Sequence, residues 1–280
     1  MNIIEELVAG RATFDWAPVT SRHEDLELTL FVLRDAMKFD GIRRSATVKT
    51  LQTVADLIGA MLLTPKVVDL IWEQATTRID SVVNIAGHIV ADLTDELVSK
   101  TIDKELADVG GDRGGIIDSV GKYWVLVNKL LRYFGPGGEI KDPKLAVELP
   151  YGIHNCCNYG WPSSSATRIS EVTPKVNGKP HKVWQNLGFK HNDEHLDPSQ
   201  TIRLMFQQAV LKKAGKTEIV HLHKVAGDPT LAPLISHEGV LRYLRVPAVA
   251  PPRATMINGV ATMPFLFDKY PPPSPFRSAV

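Results

Sequence analysis

Between Leu26 and Val32 apolar and polar positions alternate: Leu26, Leu28, Leu30 and Val32 share one face, with Glu27, Thr29 and Phe31 on the other. That period of two predicts a half-buried strand. Just before it, residues 14–19 read as an extended segment that Pro18 confines to an edge or a bend. The period then changes, because Val48, Leu51, Val54, Ala55 and Ile58 recur at helical spacing until Gly59. Thr64-Pro65 has the chemistry of an N-cap followed by a first-turn proline, and opens a second helix over 65–75 with Val68, Leu70, Ile71 and Trp72. Residues 82–103 begin apolar and end charged, with His88 in the first part. The glycines of 108–115 fit neither phosphate-cradle spacing and read as a surface loop. Residues 121–131 favour a strand by their aromatic and β-branched content.

Beyond Phe134-Gly-Pro-Gly-Gly138 helical patterning gives way to short extended pieces. Thr201 to Phe206 reads as a strand, Val210 to Val225 as a hairpin turning at Ala214-Gly215-Lys216, and Asp228 to Ile235 as one or two helical turns. The chain is thus helix-rich in front and strand-rich behind. It predicts an α+β fold over residues 1–245, helices from the first half packed on a mainly antiparallel sheet from the second. Residues 246–280 carry prolines at 247, 251, 252, 264, 271, 272, 273 and 275. They read as an extended arm or tail without a regular ladder or helix.

Composition narrows the function classes. With 280 residues, 44% hydrophobic, the chain can bury a large core. Its 32 basic and 31 acidic side chains leave a formal charge of +1, so no global field argues for nucleic acid or an anionic membrane as partner. There is no signal-like start and no apolar run long enough to span a bilayer, which predicts a cytoplasmic protein. Cys156 and Cys157 are adjacent and expected to be reduced thiols; His154 nearby invites a nucleophile reading, but a buried thiol is the commoner outcome.

The densest chemistry is His191-Asn-Asp-Glu-His-Leu-Asp-Pro-Ser199, directly ahead of the strand at Thr201. His191 and Asp197 form a candidate acid/base pair, with Ser199, His88 and Lys122 in support. His191, His195 and Asp197 would also suit zinc if the loop folded them together, yet the His-Glu-x-x-His order is absent and a cofactor-free site is expected. A polar loop of turn residues capping the next strand explains the same segment without chemistry. Asn128 lies six residues from Lys122, on the same face of a strand. Tyr159, Trp161 and Trp184 could bind a sugar or peptide, or simply fill core. His221 and His223 would share a face of the predicted hairpin.

Four ordered motifs carry a resemblance: Gly121-Lys122-x2-Val125-x2-Asn128-Lys129-Leu130, Tyr159-Gly160-Trp161, His191-x5-Asp197-x-Ser199 and Asp228-Pro229-x-Leu231-Ala232-Pro233-Leu234. Together with Leu63 to Ala75, they make the chain similar to a group of uncharacterised bacterial, phage-associated proteins for which no activity is known. The chain has Pro162 and Gln200 where that group favours His, and Pro198 where it favours Tyr, which weakens any scheme needing those histidines. The expected function is a hydrolase acting on a polymer such as peptidoglycan peptide or glycan. The alternative is a non-catalytic binding or virion-associated structural protein.

Overall fold

The structure is a computed structural model and describes residues 2–80, 93–118, 120–128, 156–176, 178–189, 191–247, 249–253, 255–257, 260–262 and 265–279. Helix α1 (Ile3–Val8) is capped by the Asn2 side chain, which accepts from the Ile4 and Glu5 amides. α2 (Val48–Leu57) and α3 (Pro65–Gln74) start at Thr47 and Thr64, whose hydroxyls accept the Thr50 and Val67 amides. These are the caps that their sequence implies. α4 (Asp95–Asp108) begins at Thr94 with Asp95 and Glu96 in its first turn, where acidic groups complement the helix dipole. α5 (Leu222–Gly227) follows the last long strand.

The main sheet is built around the alternating segment. β1 (Trp16–His23) pairs antiparallel with β2 (Leu26–Leu33) along its whole length. The other edge of β2 is divided, with β8 (Gln208–Lys213) pairing near its start and β7 (Leu204–Phe206) near its end. β9 (Lys216–His221) extends the sheet beyond β8, and β3 (Ala60–Leu62) extends it beyond β7. Dividing one edge between two strands makes the sheet curl. Leu28, Leu30 and Val32 are fully buried, as their alternation predicts. Phe31 on the opposite face is buried too, because Phe276 from the C-terminal arm packs edge-on against it.

A second sheet contains β4 (Lys122–Leu126), β5 (Cys156–Pro162), β6 (Lys182–Gly188) and the short piece Arg168–Ile169, all antiparallel. The two sheets are stitched at β4. Leu126 donates its amide to the Leu63 carbonyl at 2.8 Å, and Lys122 donates its amide to that of Ser199 at 2.9 Å. The fold is α+β with mainly antiparallel pairing, and its sheets draw strands from both halves of the chain.

The proline-rich arm differs from expectation in one respect. Thr255–Ile257 and Val260–Thr262 form a two-stranded ladder between Pro252 and Pro264, and Ser274–Ala279 is a 3-10 helix. The ladder fits because no proline lies within its two strands, and the helix fits because Pro275 sits in its first turn, where no amide donor is required. The arm packs on the domain: Tyr270 stacks on Phe14 at 5.2 Å and donates its hydroxyl to the Leu7 carbonyl at 2.9 Å. Among the described residues no helix is long and apolar enough to cross a membrane.

Buried ionic knots tie the layers together. Arg203 and Asp118, both with fully buried side chains, pair at 2.9 Å; Arg203 also donates to the Tyr123 hydroxyl and to the Leu33 and Arg34 carbonyls. Elsewhere Asp69 on α3 accepts from the Tyr159 hydroxyl at 2.7 Å and meets His181 Nε2 at 2.8 Å. Removing one partner of such a pair strands a charge without water. Asp118→Ala is expected to lower the unfolding free energy by about 3–5 kcal/mol in urea titrations; a loss under about 1 kcal/mol would show that Arg203 finds other compensation.

Candidate functional site

The segment from His191 to Ser199 folds as two successive turns. Asn192 makes the first: its side chain accepts the Glu194 amide at 3.1 Å and its carbonyl accepts the His195 amide at 3.1 Å. This reversal stacks the His195 ring on His191, with centroids 3.7 Å apart and planes 15° from parallel. Asp197 makes the second turn, its Oδ1 accepting the Ser199 amide at 2.8 Å and the Ser199 hydroxyl. Asn and Asp suit these positions because their short acceptors reach the backbone two residues on. Lys49 on α2 grips Asp193 and Glu194 and holds the outer side of the loop.

The second carboxylate oxygen of Asp197 takes the Lys122 ammonium at 2.7 Å, with both side chains only 7% exposed. That ion pair joins the loop to β4. Lys122 also lies 5.8 Å from the centre of the Trp161 ring, while Trp124, two residues along β4, meets His191 edge-on at 6.4 Å. The structure therefore brings Lys122, Trp161, His191, His195, Asp197 and Ser199 into one cluster. His88 lies outside the described residues.

Other candidates are used elsewhere. Asn128 donates its backbone amide to Glu238 and its side-chain amide to the Val240 carbonyl, and accepts from the Arg242 amide, so it anchors the 238–242 loop. Tyr159 is fully buried against Asp69 and Ser170. Trp184 precedes Gln185, the residue that pairs with Gly160, so strand alternation turns it away from the Lys122 face. Trp161 escapes the same fate because Gly160 (φ +142°) and Trp161 itself (φ +53°) leave regular strand geometry. His221 ends β9 while His223 lies within α5, so the two do not share a strand face as expected. Cys156 and Cys157 are buried, and burial pushes the Cys156 thiol up, away from thiolate reactivity.

Three further side chains, overlooked in the sequence, belong to this face. Cross-strand register sets Asn158 beside Trp124, and a parallel bridge sets Gln200 beside Lys122. Asn158 is fully buried and Gln200 is 1% exposed, yet both amide atoms of each lack a hydrogen-bond partner among the described residues. The same holds for the indole N–H groups of Trp124 and Trp161 and for His195 Nε2. The signal available beforehand was parity: once β4 and β5 are paired, even-numbered residues of both point the same way.

Electrostatics divides the cluster into a charged base and a neutral rim. Burial would raise the Asp197 carboxyl, but the Lys122 ammonium and hydrogen bonds from Lys122 and Ser199 outweigh it and hold the group below the usual carboxylate range. His191 is pushed down to about 4, first by burial, then by neighbouring His195 and Lys122 against the pull of Asp197. Burial also lowers His195. Above pH 5 the imidazole of His191 is therefore neutral.

This arrangement does not fit zinc. Parallel stacked rings direct their in-plane lone pairs side by side instead of converging on one ion, and among the described residues no group of three His, Cys, Asp or Glu could hold a metal. No family model, curated protein or solved structure matches the chain.

The depressed His191 value has a consequence for stability. Between the ordinary imidazole value of 6.5 and about 4 the unfolded chain binds the proton and the folded chain resists it, so stability rises with pH across that window and is lost on acidification. Denaturation midpoints measured at pH 7 and pH 5 are expected to differ less in His191→Gln than in the parent chain; an equal difference would mean that His191 titrates normally.

Proposed function

We propose that this chain is a hydrolase acting on a polymer such as peptidoglycan peptide or glycan, with His191 as its proton-transfer group. The observation that carries the reading is a neutral, half-buried imidazole beside the fixed Lys122–Asp197 ion pair, on a face whose carboxamides and indole N–H groups lack partners among the described residues. In amide hydrolysis, water adds to the carbonyl carbon as its proton passes to His191. Lys122, oriented by Asp197, favours the negative charge developing on the carbonyl oxygen. The carbon–nitrogen bond then breaks as the His191 imidazolium returns the proton to the leaving nitrogen. A low imidazole pKa makes that second transfer easy at some cost to the first.

Ser199 acts as a positioning residue, since its buried hydroxyl donates to Asp197 and is turned away from the role of nucleophile. His88 is a supporting group in this reading. The amide branch is favoured over the glycosidic one because glycoside hydrolysis commonly needs two cooperating carboxylates, and Asp197 is already committed to Lys122.

A second reading, a non-catalytic binding or virion-associated protein, has its own support. Cavities of about 420 Å³ and 500 Å³ meet at Thr13, Phe14 and Asp15, away from Lys122, His191 and Asp197. Incubating the chain with purified sacculi and following released fragments by mass spectrometry separates the two. Hydrolysis is expected, reduced by about 10²–10⁴-fold in His191→Gln and falling as pH drops through about 4. Retention on sacculi without release, unchanged in that variant, would favour the binding protein.

A further inference from the structure

Asn158 and Gln200 leave a question that the catalytic scheme does not answer. Each places a full side-chain amide, two donors and an acceptor, out of reach of water. An unpaired buried polar group is costly, and here the Trp124 and Trp161 N–H groups and His195 Nε2 share the same condition around one ion pair. Seven such atoms gather around this one ion pair, while others, among them Thr77 Oγ1 and the Trp184 N–H, lie elsewhere in the fold. We propose that Asn158 and Gln200, with these two indole N–H groups, form the subsite that recognises a peptide backbone amide of the substrate.

The chemistry of the partner follows from the donor and acceptor count. The ion pair satisfies its own charges, leaving a rim that offers neutral hydrogen bonds and asks for no ionic ligand. A trans secondary amide presents its N–H and its carbonyl on opposite edges, so it needs an acceptor on one side and donors on the other. Asn158 and Gln200 supply both. They sit two strands and two residues apart across Lys122 and Trp124, a separation of about 12 Å between Cα atoms from ordinary strand spacing and rise. A sugar ring is a poorer match, because stacking needs an open aromatic face, whereas Trp124 is 1% and Trp161 6% exposed.

Access runs past the two histidines. The His191 and His195 rings are half-buried, stacked on each other and hydrogen-bonded to none of the described residues, so they are the part of the cover free to turn aside. Asn158 and Gln200 are specificity residues in this scheme, holding the amide beside His191 while taking no proton themselves.

This assignment rests on the site proposed above but is tested apart from turnover. The probe is acetyl-alanyl-alanine methylamide, titrated into the full chain labelled with ¹⁵N, with the side-chain amide signals of Asn158 and Gln200 observed. Saturable shifts of both are expected. An analogue with an ester oxygen in place of the central N–H should bind at least tenfold more weakly, and glucose and N-acetylglucosamine should shift neither signal. Asn158→Leu and Gln200→Met, close in shape, should each weaken the probe at least tenfold while leaving the melting temperature equal or higher, since each removes an unpaired buried amide. Binding with these properties but no cleavage would retain the subsite and remove the hydrolase. Equal binding of the ester, shifts caused by the sugars, absence of any shift with the peptide, or a fall in melting temperature in both variants would overturn the assignment.

Discussion

The buried Lys122–Asp197 ion pair is the constraint on which the candidate site depends. Taking both charges out of water is expensive, and their attraction repays the cost only where geometry is good and remaining hydrogen-bonding capacity is used. Here Asp197 divides its work, one oxygen receiving the lysine and the other closing the Pro198-Ser199 turn. A strand from the second sheet is thereby fixed to a loop entering the first. The stacked histidines, the depressed proton affinity of His191 and the closeness of Trp124 all follow from where that loop is held.

Around the pair, the frame is over-determined. Lys122 is bonded to the loop through its backbone as well as its side chain, and Arg203, three residues after Gln200, is locked by Asp118, Tyr123 and two carbonyls at the end of β2. Gly121 belongs to the same design. A Cβ there would lie 2.7 Å from the Ser199 carbonyl oxygen, so only glycine lets β4 approach this closely. Rigidity in the sheets leaves the two imidazole rings as the adaptable part, a division of labour suited to holding one group of a ligand while another reacts.

Local rules made much of this legible in the sequence. Thr64-Pro65 announced its helix by capping, Val48 to Ile58 theirs by spacing, Leu26 to Val32 its strand, and Ala214-Gly215-Lys216 its hairpin, because capping, periodicity and turn chemistry act within a few residues. The loop from His191 to Ser199 stood out by density of titratable groups alone. Contacts across the chain were harder to read: Lys122 and Asp197 are 75 residues apart, and nothing near either names the other. Residue type without register misled most: it offered Tyr159 and Trp184 as aromatics able to bind a ligand and passed over Asn158, whose role depends on which residue of β4 it faces. Phe31 looked solvent-facing until Phe276, at the far end of the chain, covered it.

A double-mutant cycle on Lys122→Met and Asp197→Asn tests the central claim most directly, because the amide at 197 keeps the turn acceptor while removing the charge. If the pair assembles the site as described, each single variant loses about 3–5 kcal/mol of unfolding free energy, and the double variant falls short of their sum by a coupling of about 1–3 kcal/mol. Additive losses, agreeing within about 0.5 kcal/mol, would mean that the two charges act independently and that the loop is held by something else.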